Sequence, residues 1–410
     1  MLPADLTLLD VVLIAVAIGV AGAMLRRPVR DSPFWRATVT PLASIIGSGF
    51  LVVAPMLAAI AGAWAAACIV AIVALSFWIG SALRFNILHE HKGGTAHGDP
   101  VERVLERVSD IVLALAYVIS ITFYIRLMSG FVLTGIGAYA PVTADALASA
   151  VLAFIGLYGL LRGLHGLERL EEYSVTIKLA IIGSLLLGLV HFDVTRGYDL
   201  SALGAPGADA WETLRRLGGM LLIVQGFETS KYLGGKYPAP LRARSMLLAQ
   251  ALAGVIYVFF VVAALPLTAP YAHGSPDENA IIELSGRITA ALPMMLVLAA
   301  AMSQFSAAVA DTIGAGGVFA NQFGTRVSAR LGYPLVAAFA TVLVWTSNIF
   351  GVIALASRAF ALFYLLQALV AMRLARRIDD AASRRWRRGA TAALAAVLLW
   401  VVVFAIPADA

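Results

Sequence analysis

Long apolar runs recur along the chain and are separated by polar loops. A helix needs about 20 residues to cross a hydrocarbon core of about 30 Å, so each run predicts a transmembrane helix. The runs lie at residues 9–25, 38–60, 63–83, 111–133, 146–161, 173–190, 217–233, 246–267, 290–316, 334–347, 349–372 and 391–406. The pattern predicts an all-α polytopic membrane protein with about twelve transmembrane helices.

Composition agrees with this class, because 61% of the 410 residues are hydrophobic and 13% are charged. The net charge of +6 does not indicate a nucleic-acid partner. Most Lys and Arg residues lie in short loops between apolar runs, where basic residues mark the cytoplasmic side of a membrane. The single cysteine, Cys68, excludes an internal disulfide.

The basic residues also predict the orientation of the chain. Acidic residues precede the first apolar run, and Arg26, Arg27 and Arg30 follow it. This order is opposite to that of a secretory signal peptide, so we expect the first run to remain as a helix with its N-terminus outside. The basic segment 373–389 marks the cytoplasm again, and the last helix then places the C-terminus outside. We expect a multi-pass protein of the cell membrane, the bacterial inner membrane, surrounded by lipid.

Two of the apolar runs are interrupted at matching positions. The second run contains SIIGSGF, and the seventh leads into VQGFETSKYLGG. Gly47 lies nine positions after residue 38, and Gly226 lies nine positions after residue 217. Glycine weakens a helix and leaves backbone groups open to a ligand, although small residues also allow close helix packing. Two blocks of five runs with opposite orientation and a broken first helix predict an inverted repeat.

This repeat divides the chain into five parts. They are an extra transmembrane helix with a cytoplasmic loop (1–36), a first five-helix repeat (37–193), an external loop (194–216), a second, inverted five-helix repeat (217–372), and a basic loop with a C-terminal transmembrane helix (373–410).

The five-plus-five arrangement resembles the leucine-transporter fold, and especially the amino acid-polyamine-organocation superfamily. In that superfamily the first core helix carries a break like IIGSGF, and the sixth carries one like QGFETSKY. The stretch EEYSVTIKLAII, with Lys178, is similar to the fifth core helix of amino-acid permeases. The extra N-terminal helix and FSAAVADT resemble the sodium/solute symporter branch, although Ala310 and Asp311 stand where hydroxyl residues would hold sodium. The resemblance implies a secondary transporter that works by alternating access.

Charged residues also lie inside predicted transmembrane runs, among them Arg126, Lys178, Glu228, Asp311 and Arg358. Each costs about 2.5 to 3.5 kcal/mol on insertion scales, so we expect these side chains to pair, bind substrate or line water. Lys178 and Asp311 are predicted at similar depths, and the resemblance places their helices side by side. We therefore expect an ion pair between them. The expected coupling residues are Lys178, Glu228 and Asp311.

For the substrate, the resemblance implies a small zwitterion or cation, an amino acid or a related amine. The N–H groups of residues 47–49 would receive a carboxylate at the start of a half-helix. The carbonyl groups of residues 225–227 would accept an ammonium, with Glu228 as counter-charge or proton carrier. A lysine in place of sodium implies proton coupling or exchange.

Three further side chains complete the expected site. Tyr124 and Phe227 are candidates for closing it, and Arg126 would either neutralise Glu228 or attract an anionic group. The expected substrate-binding residues are Ile46, Gly47, Ser48, Gly49, Tyr124, Arg126, Gln225, Gly226, Phe227 and Glu228.

Other classes are less favoured. A sodium-coupled symporter of the same fold is the main alternative, and an ion channel is a weaker one. The chain shows no recognised nucleophile, metal or cofactor set, so we expect neither an enzyme nor a cofactor. His89, His91 and His97 lie in a Gly-rich loop without the further ligands that a metal site needs, so we expect no metal there.

Overall fold

The computed structural model describes residues 7–47, 49–89, 99–204, 209–271, 280–323, 328–346 and 349–406. Over these ranges the chain forms helices and no strand. The α-helices are α1 (Leu8–Met24), α2 (Arg27–Arg30), α3 (Pro33–Ile45), α4 (Gly49–Ala61), α5 (Ala65–Leu88), α6 (Pro100–Gly135), α7 (Pro141–Arg196), α8 (Ala210–Met220), α9 (Ala239–Ala264), α10 (Ala280–Ser285), α11 (Leu292–Phe323), α12 (Ala329–Thr346), α13 (Ile349–Leu374) and α14 (Ala381–Phe404).

Eight helical segments in the described part of the chain are long and apolar enough to cross a membrane. In that count α4 and α5 form one segment, α7 is one segment, and α1 is apolar but shorter. Each predicted run coincides with a helix, part of a helix or a pair of half-helices. The all-helical transmembrane class is confirmed, whereas the number of twelve crossings stays a prediction.

The structure differs from the predicted boundaries in two places. The fifth and sixth runs belong to one helical segment, α7, which bends at Gly163 instead of opening into a loop. Gly163 has φ 63° and ψ −164°, a conformation that glycine adopts without steric strain. Residues 100–109, which precede the predicted run 111–133, are the first turns of α6.

The helices pack as two equivalent sets of five. In the first set these are α3 with α4, then α5, α6 and the two halves of α7; in the second they are α8 with residues 227–233, then α9, α11, α12 and α13. The equivalent helices α6 and α11 pack against each other, as do α5 and α9. The helix α13 packs on α6, and its equivalent in the first set, α7, packs on α11, the equivalent of α6. The inverted repeat is therefore present in the packing.

The extra helix α1 is fastened to this core by polar contacts. The Asp10 carboxylate accepts a hydrogen bond from the backbone N–H of Ala291, just before α11 begins (3.0 Å). The Ser184 hydroxyl of α7 donates to the carbonyl oxygen of Leu13 (2.7 Å). Asp10 is fully buried, and a buried carboxylate needs such partners. The N-terminal helix is thus an integral part of the fold.

Candidate functional site

The two repeats meet where each of them has a broken helix. In the first, α3 ends at Ile45 and α4 starts at Gly49. In the second, α8 and the 3-10 turn Leu221–Val224 end before Gln225 and Gly226, and the 3-10 segment Phe227–Leu233 follows. Gly226 has φ 112°, so the chain changes direction there. We call the two interruptions the first break and the second break.

The breaks touch each other through glycine. A Cβ atom on Gly226 would lie 2.4 Å from the Ser44 Oγ atom, and one on Gly49 would lie 2.8 Å from a methyl carbon of Ile223. Real Cβ atoms do not approach other atoms so closely, so the backbones are in contact only because these residues are glycine. The Tyr257 hydroxyl of α9 lies 2.9 Å from the Ile45 carbonyl oxygen and 3.2 Å from that of Ile223.

The first break exposes carbonyl groups at the C-terminal end of α3, and a cation covers them. The Lys178 ammonium donates to the carbonyl oxygens of Ala43 (2.8 Å) and Ile46 (2.5 Å) and to the Ser306 hydroxyl (2.8 Å). Ser303 adds hydrogen bonds to the Ile46 and Gly47 carbonyls. The last carbonyls of a helix lack internal partners and carry partial negative charge, so a buried ammonium is favourable there.

The second break is covered by its own carboxylate. Glu228 accepts a hydrogen bond from the Gly226 N–H (3.0 Å) two residues earlier. The Tyr364 hydroxyl of α13 donates to the same oxygen (2.5 Å), and the Tyr117 hydroxyl of α6 approaches the other one (3.5 Å). Phe227 stacks on the Tyr364 ring at 5.4 Å between centroids. Glu228 is fully buried, and no cation lies within ion-pair distance of it in the described ranges.

Asp311 of α11 is the second carboxyl group at the meeting point. It accepts hydrogen bonds from the Ser44 hydroxyl of α3 (2.8 Å) and the Ser120 hydroxyl of α6 (2.5 Å). Ser120 lies three residues after Tyr117, which reaches Glu228, so one face of α6 contacts both carboxyl groups. Ser44 likewise contacts both Asp311 and Gly226. The two acids therefore belong to one polar cluster.

The expected ion pair between Lys178 and Asp311 is wrong. Lys178 bonds the Ala43 carbonyl, whereas Asp311 bonds the hydroxyl of the next residue, Ser44. Successive residues on a helix point about 100° apart, so the two charged groups approach α3 from different directions. The predicted depths of Lys178 and Asp311 were close enough that both side chains reach the same turn of α3. Depth in the membrane does not tell from which side of α3 each side chain approaches.

Arg126 does not bind Glu228 either. Its guanidinium forms an ion pair with Asp145 near the start of α7 (3.0 Å), and both side chains are about one-fifth exposed. All polar partners of Glu228 in the described residues are Gly226, Tyr117 and Tyr364, so the alternative that Arg126 neutralises Glu228 is excluded. Arg358, which also lies in a predicted run, is exposed.

The other predicted residues lie at or near the breaks. The Tyr124 hydroxyl lies close to Gly47, at 3.8 Å from the position of a Cβ atom there. Tyr124 and Phe227 are buried, and the side-chain oxygen of Gln225 is buried without a hydrogen-bond partner in the described residues. Ser48 lies outside the described residues, as do His91 and His97.

Sequence reasoning missed the hydroxyl groups that complete the cluster. These are Ser44, Tyr117, Ser120, Tyr257, Ser303, Ser306 and Tyr364. Serine in a helix usually bonds a carbonyl of its own preceding turn, so its presence carries little information. The only available signal was the spacing of Tyr117 and Ser120 on one helix face.

A second polar network fastens the segment after the second break. Lys231 forms a buried ion pair with Glu106 of α6 (2.5 Å) and donates to Gln367 of α13 (3.0 Å). The Tyr232 hydroxyl donates to Asp110 of α6 (2.8 Å). These contacts tie the segment after the second break to α6 and α13.

Broken helices that meet at the centre of an inverted five-helix repeat define a membrane transporter of the leucine-transporter fold. A family model described as "APC superfamily transporter" matches residues 27–405. The chain belongs to this superfamily of transporters. An uncharacterized protein of Aquifex aeolicus (strain VF5) is 43% identical over 346 residues, which cover 82% of this chain and 83% of that protein.

Solved structures agree on the fold. MhsT in complex with L-phenylalanine matches with a TM-score of 0.60 at 16% identity, covering 92% of this chain and 99% of that one. A manganese transporter of Eremococcus coleocola gives 0.56 at 12% identity, covering 90% and 86%. A Na⁺-coupled sialic acid symporter in a substrate-bound outward-open state gives 0.53 at 14% identity, covering 98% and 99%. At these identities the likeness concerns the fold alone.

Proposed function

We propose that this transporter moves a small solute with an ammonium group, an amino acid or a related amine, by proton coupling or exchange. The observation that carries the proposal is the pair of buried carboxyl groups, Glu228 and Asp311, at the meeting point of the two breaks. Neither has an ammonium or guanidinium partner among the described residues. A cationic group of the solute, or protons, would balance them.

The first break supports an amino acid as the solute, because it offers a place for the carboxylate group. The α4 half-helix starts at Gly49, and the N–H groups of Gly47 and Gly49 meet no acceptor among the described residues. A helix N-terminus with free N–H groups favours an anion. The site residues of the proposal are therefore the backbone at both breaks, with Glu228, Asp311, Tyr124 and Phe227 around them.

Lys178 favours coupling to protons over coupling to sodium. Its ammonium already donates to two carbonyl oxygens and one hydroxyl, the kind of oxygen ligands that a hard cation needs. A bound sodium ion at the same oxygens would have to displace it. The proposal includes the bacterial inner membrane as location, both termini outside, and the five-part division of the chain.

Transport by purified protein in vesicles tests the proposal. We expect accumulation of radiolabel from a mixture of amino acids, or of putrescine, when the vesicle interior is more alkaline than the medium. Glu228→Gln should reduce this accumulation at least about tenfold, because it removes the charge that would balance the solute's ammonium group or carry the proton. A tenfold change in rate corresponds to about 1.4 kcal/mol. Glu212→Gln is the matched control, because Glu212 pairs with Arg216 at the surface. Strict dependence on a sodium gradient, or unchanged uptake by Glu228→Gln, would refute it.

A further inference from the structure

One face of α3 carries a row of polar contacts that leads away from the first break. Arg36, Thr40, Ala43 and Ser44 fall within an arc of about 100° around the helix, with Ala43 and Ser44 at its two edges. Each of the four contacts or lines a different polar feature beside α3. From the break outward these are Asp311, Lys178, Glu171 and an open cleft.

The outer end of the row is a cleft that opens to solvent. Its lining comprises Arg36, Val39, His165, Glu168, Arg169 and Glu172. Arg36 lies one helical turn before Thr40 on α3, and Glu168 lies one turn before Glu171 on α7. The contact between Thr40 and Glu171 is therefore about one helical turn from the cleft.

Glu171 is the unusual group of the row. It is fully buried, and one carboxyl oxygen bonds the Thr40 hydroxyl at 2.6 Å. The other oxygen, Oε1, is buried and has no hydrogen-bond partner in the described residues. A buried carboxylate held for structure alone has its oxygens satisfied, since an unpaired ionised carboxylate is strongly destabilising. Glu171 has neither a cation at ion-pair distance nor a full set of donors.

Glu171 and Lys178 are seven residues apart on α7, two helical turns or about 10 Å, and point to the same side. The two groups interact electrostatically, and Glu171 also interacts with Asp311. Thr40 and Ala43, their contacts on α3, are one turn apart. Both helices thus present polar groups in register along a common seam.

The remaining groups around Glu171 do not supply a countercharge. Glu168, on the preceding turn of α7, is bound by Lys236 and the Tyr237 hydroxyl. The charged or titratable groups that interact with Glu171 include Glu168 and Lys178 of α7, Asp311 of α11, Tyr333 of α12, and Tyr237 before α9. Lys178 is the cation in this set, and its ammonium bonds other oxygens. The basic residues of the cleft are Arg36, His165 and Arg169, and among the described residues none of them forms an ion pair or hydrogen bond with Glu171.

We propose that Glu171 is a proton-binding group that takes protons from the cleft and delivers them along the α3–α7 seam towards Lys178 and Asp311. In the loaded state its carboxyl group holds one proton. In the unloaded state it is a carboxylate, and the proton has moved past Lys178, which stays an ammonium, to the Asp311 carboxylate. Thr40 positions the carboxyl group through its hydroxyl. No other bond is made or broken.

Infrared spectroscopy of the full chain in lipid vesicles tests the proposed proton path and needs no transported solute. The probe is the carboxyl proton, which is followed through its C=O band and through its exchange for deuterium. We expect a C=O band of a protonated carboxyl group that disappears as the pH of the medium rises and that is absent in Glu171→Gln. Glu172→Gln should keep the band. Glu172 is the matched control because it is buried, has one oxygen without a partner and lines the same cleft.

The path itself is tested by a second band, the one that Asp311→Asn removes. Its exchange for deuterium should be several-fold slower in Glu171→Gln than in the wild type, and unchanged in Glu172→Gln. Equal exchange rates in Glu171→Gln and the wild type would overturn the proposal, as would a band that ignores pH. Glu171→Asp guards against misfolding: fast exchange in it supports the proposal, and slow exchange in a protein with wild-type stability contradicts it.

The use of this path in transport rests on the proposed proton coupling. The two proposals fail separately, because the infrared bands need no solute. A wild type that shows the Glu171 band and fast Asp311 exchange but accumulates none of the labelled amino acids or putrescine would refute the transport proposal alone. Accumulation driven by pH in a protein without the Glu171 band would refute the proton path alone.

Discussion

The two breaks occupy equivalent places in the repeats but are stabilised in opposite ways. At the first break the backbone groups with a charged partner are carbonyls at the end of α3, and the partner is a cation, Lys178, from a neighbouring helix. At the second break the unpaired group is the N–H of Gly226, and an anion two residues away, Glu228, covers it. Each charge has the sign that the exposed end of the helix favours.

The difference shows that an inverted repeat copies geometry and not chemistry. In the first repeat a carbonyl end of a helix faces the site, and a lysine from another helix binds it. In the second repeat an N–H group faces the site, and an acid of the same segment binds it. The first break is held from outside by α7 and α11, so it depends on their position. The second carries its own charged cap, Glu228, and neighbouring helices add tyrosine hydroxyls to it and fasten the segment that follows. The following changes test this contrast.

The largest effect is expected from Gly226→Ala compared with Gly47→Ala. Alanine at φ 112° is strained by about 1 to 2 kcal/mol, and its methyl group would overlap Ser44, which adds about 1 to 3 kcal/mol. At Gly47 the nearest contact is 3.0 Å and φ is not positive. We expect losses of about 3 and about 1 kcal/mol in the free energy of unfolding, measured in mixed micelles. Equal losses would contradict the assignment of strain to the second break.

Lys178→Met should have the next largest effect. The methionine fills much of the same volume but leaves the Ala43 carbonyl buried without a partner, which costs about 1 to 3 kcal/mol. Arg373→Met is the control, since Arg373 pairs with Asp99 while both side chains are partly exposed, and such pairs contribute about 0.2 to 1 kcal/mol. Unfolding in mixed micelles measures both variants. A Lys178 variant as stable as the control would mean that α3 does not need the ammonium.

Tyr364→Phe should have the smallest effect of the three. It removes one hydrogen bond to Glu228 and keeps the ring that stacks on Phe227, so we expect a loss of about 1 kcal/mol. The Gly226 N–H still bonds the same carboxylate oxygen. The measurement is again unfolding in mixed micelles, with Tyr198→Phe as a surface control. A loss larger than that of Lys178→Met would show that the second break is held by its neighbours after all.

The fold could be predicted from the sequence because its signals are local. Apolar runs define the helices, and the matched glycines at Gly47 and Gly226 define the breaks. The bend at Gly163 was predicted as a loop, because a glycine amid polar residues has the same local pattern in either case. Hydropathy also separated residues 100–109 from α6, although a helix continues beyond the membrane without any change in backbone.

The contacts inside the site could not be predicted in the same way. Glu228 was recognised as important because a charge in an apolar run is rare, but its partners, Tyr117 and Tyr364, are more than a hundred residues away along the chain. Lys178 and Asp311 were assigned to each other because only their depths were known. Their true partners, the Ala43 carbonyl and the Ser44 hydroxyl, are neighbours in sequence that face different directions.

The Tyr257 hydroxyl has one hydrogen atom and lies within reach of two carbonyl oxygens, those of Ile45 and Ile223. It bonds one of them at a time, so one broken helix always lacks this hydrogen bond while the other has it. A carbonyl oxygen that accepts this hydrogen bond is more stable by about 1 kcal/mol than one that does not. The two possible hydrogen bonds are similar in length. The junction between the repeats is therefore locally frustrated: strengthening its hold on one repeat loosens it on the other.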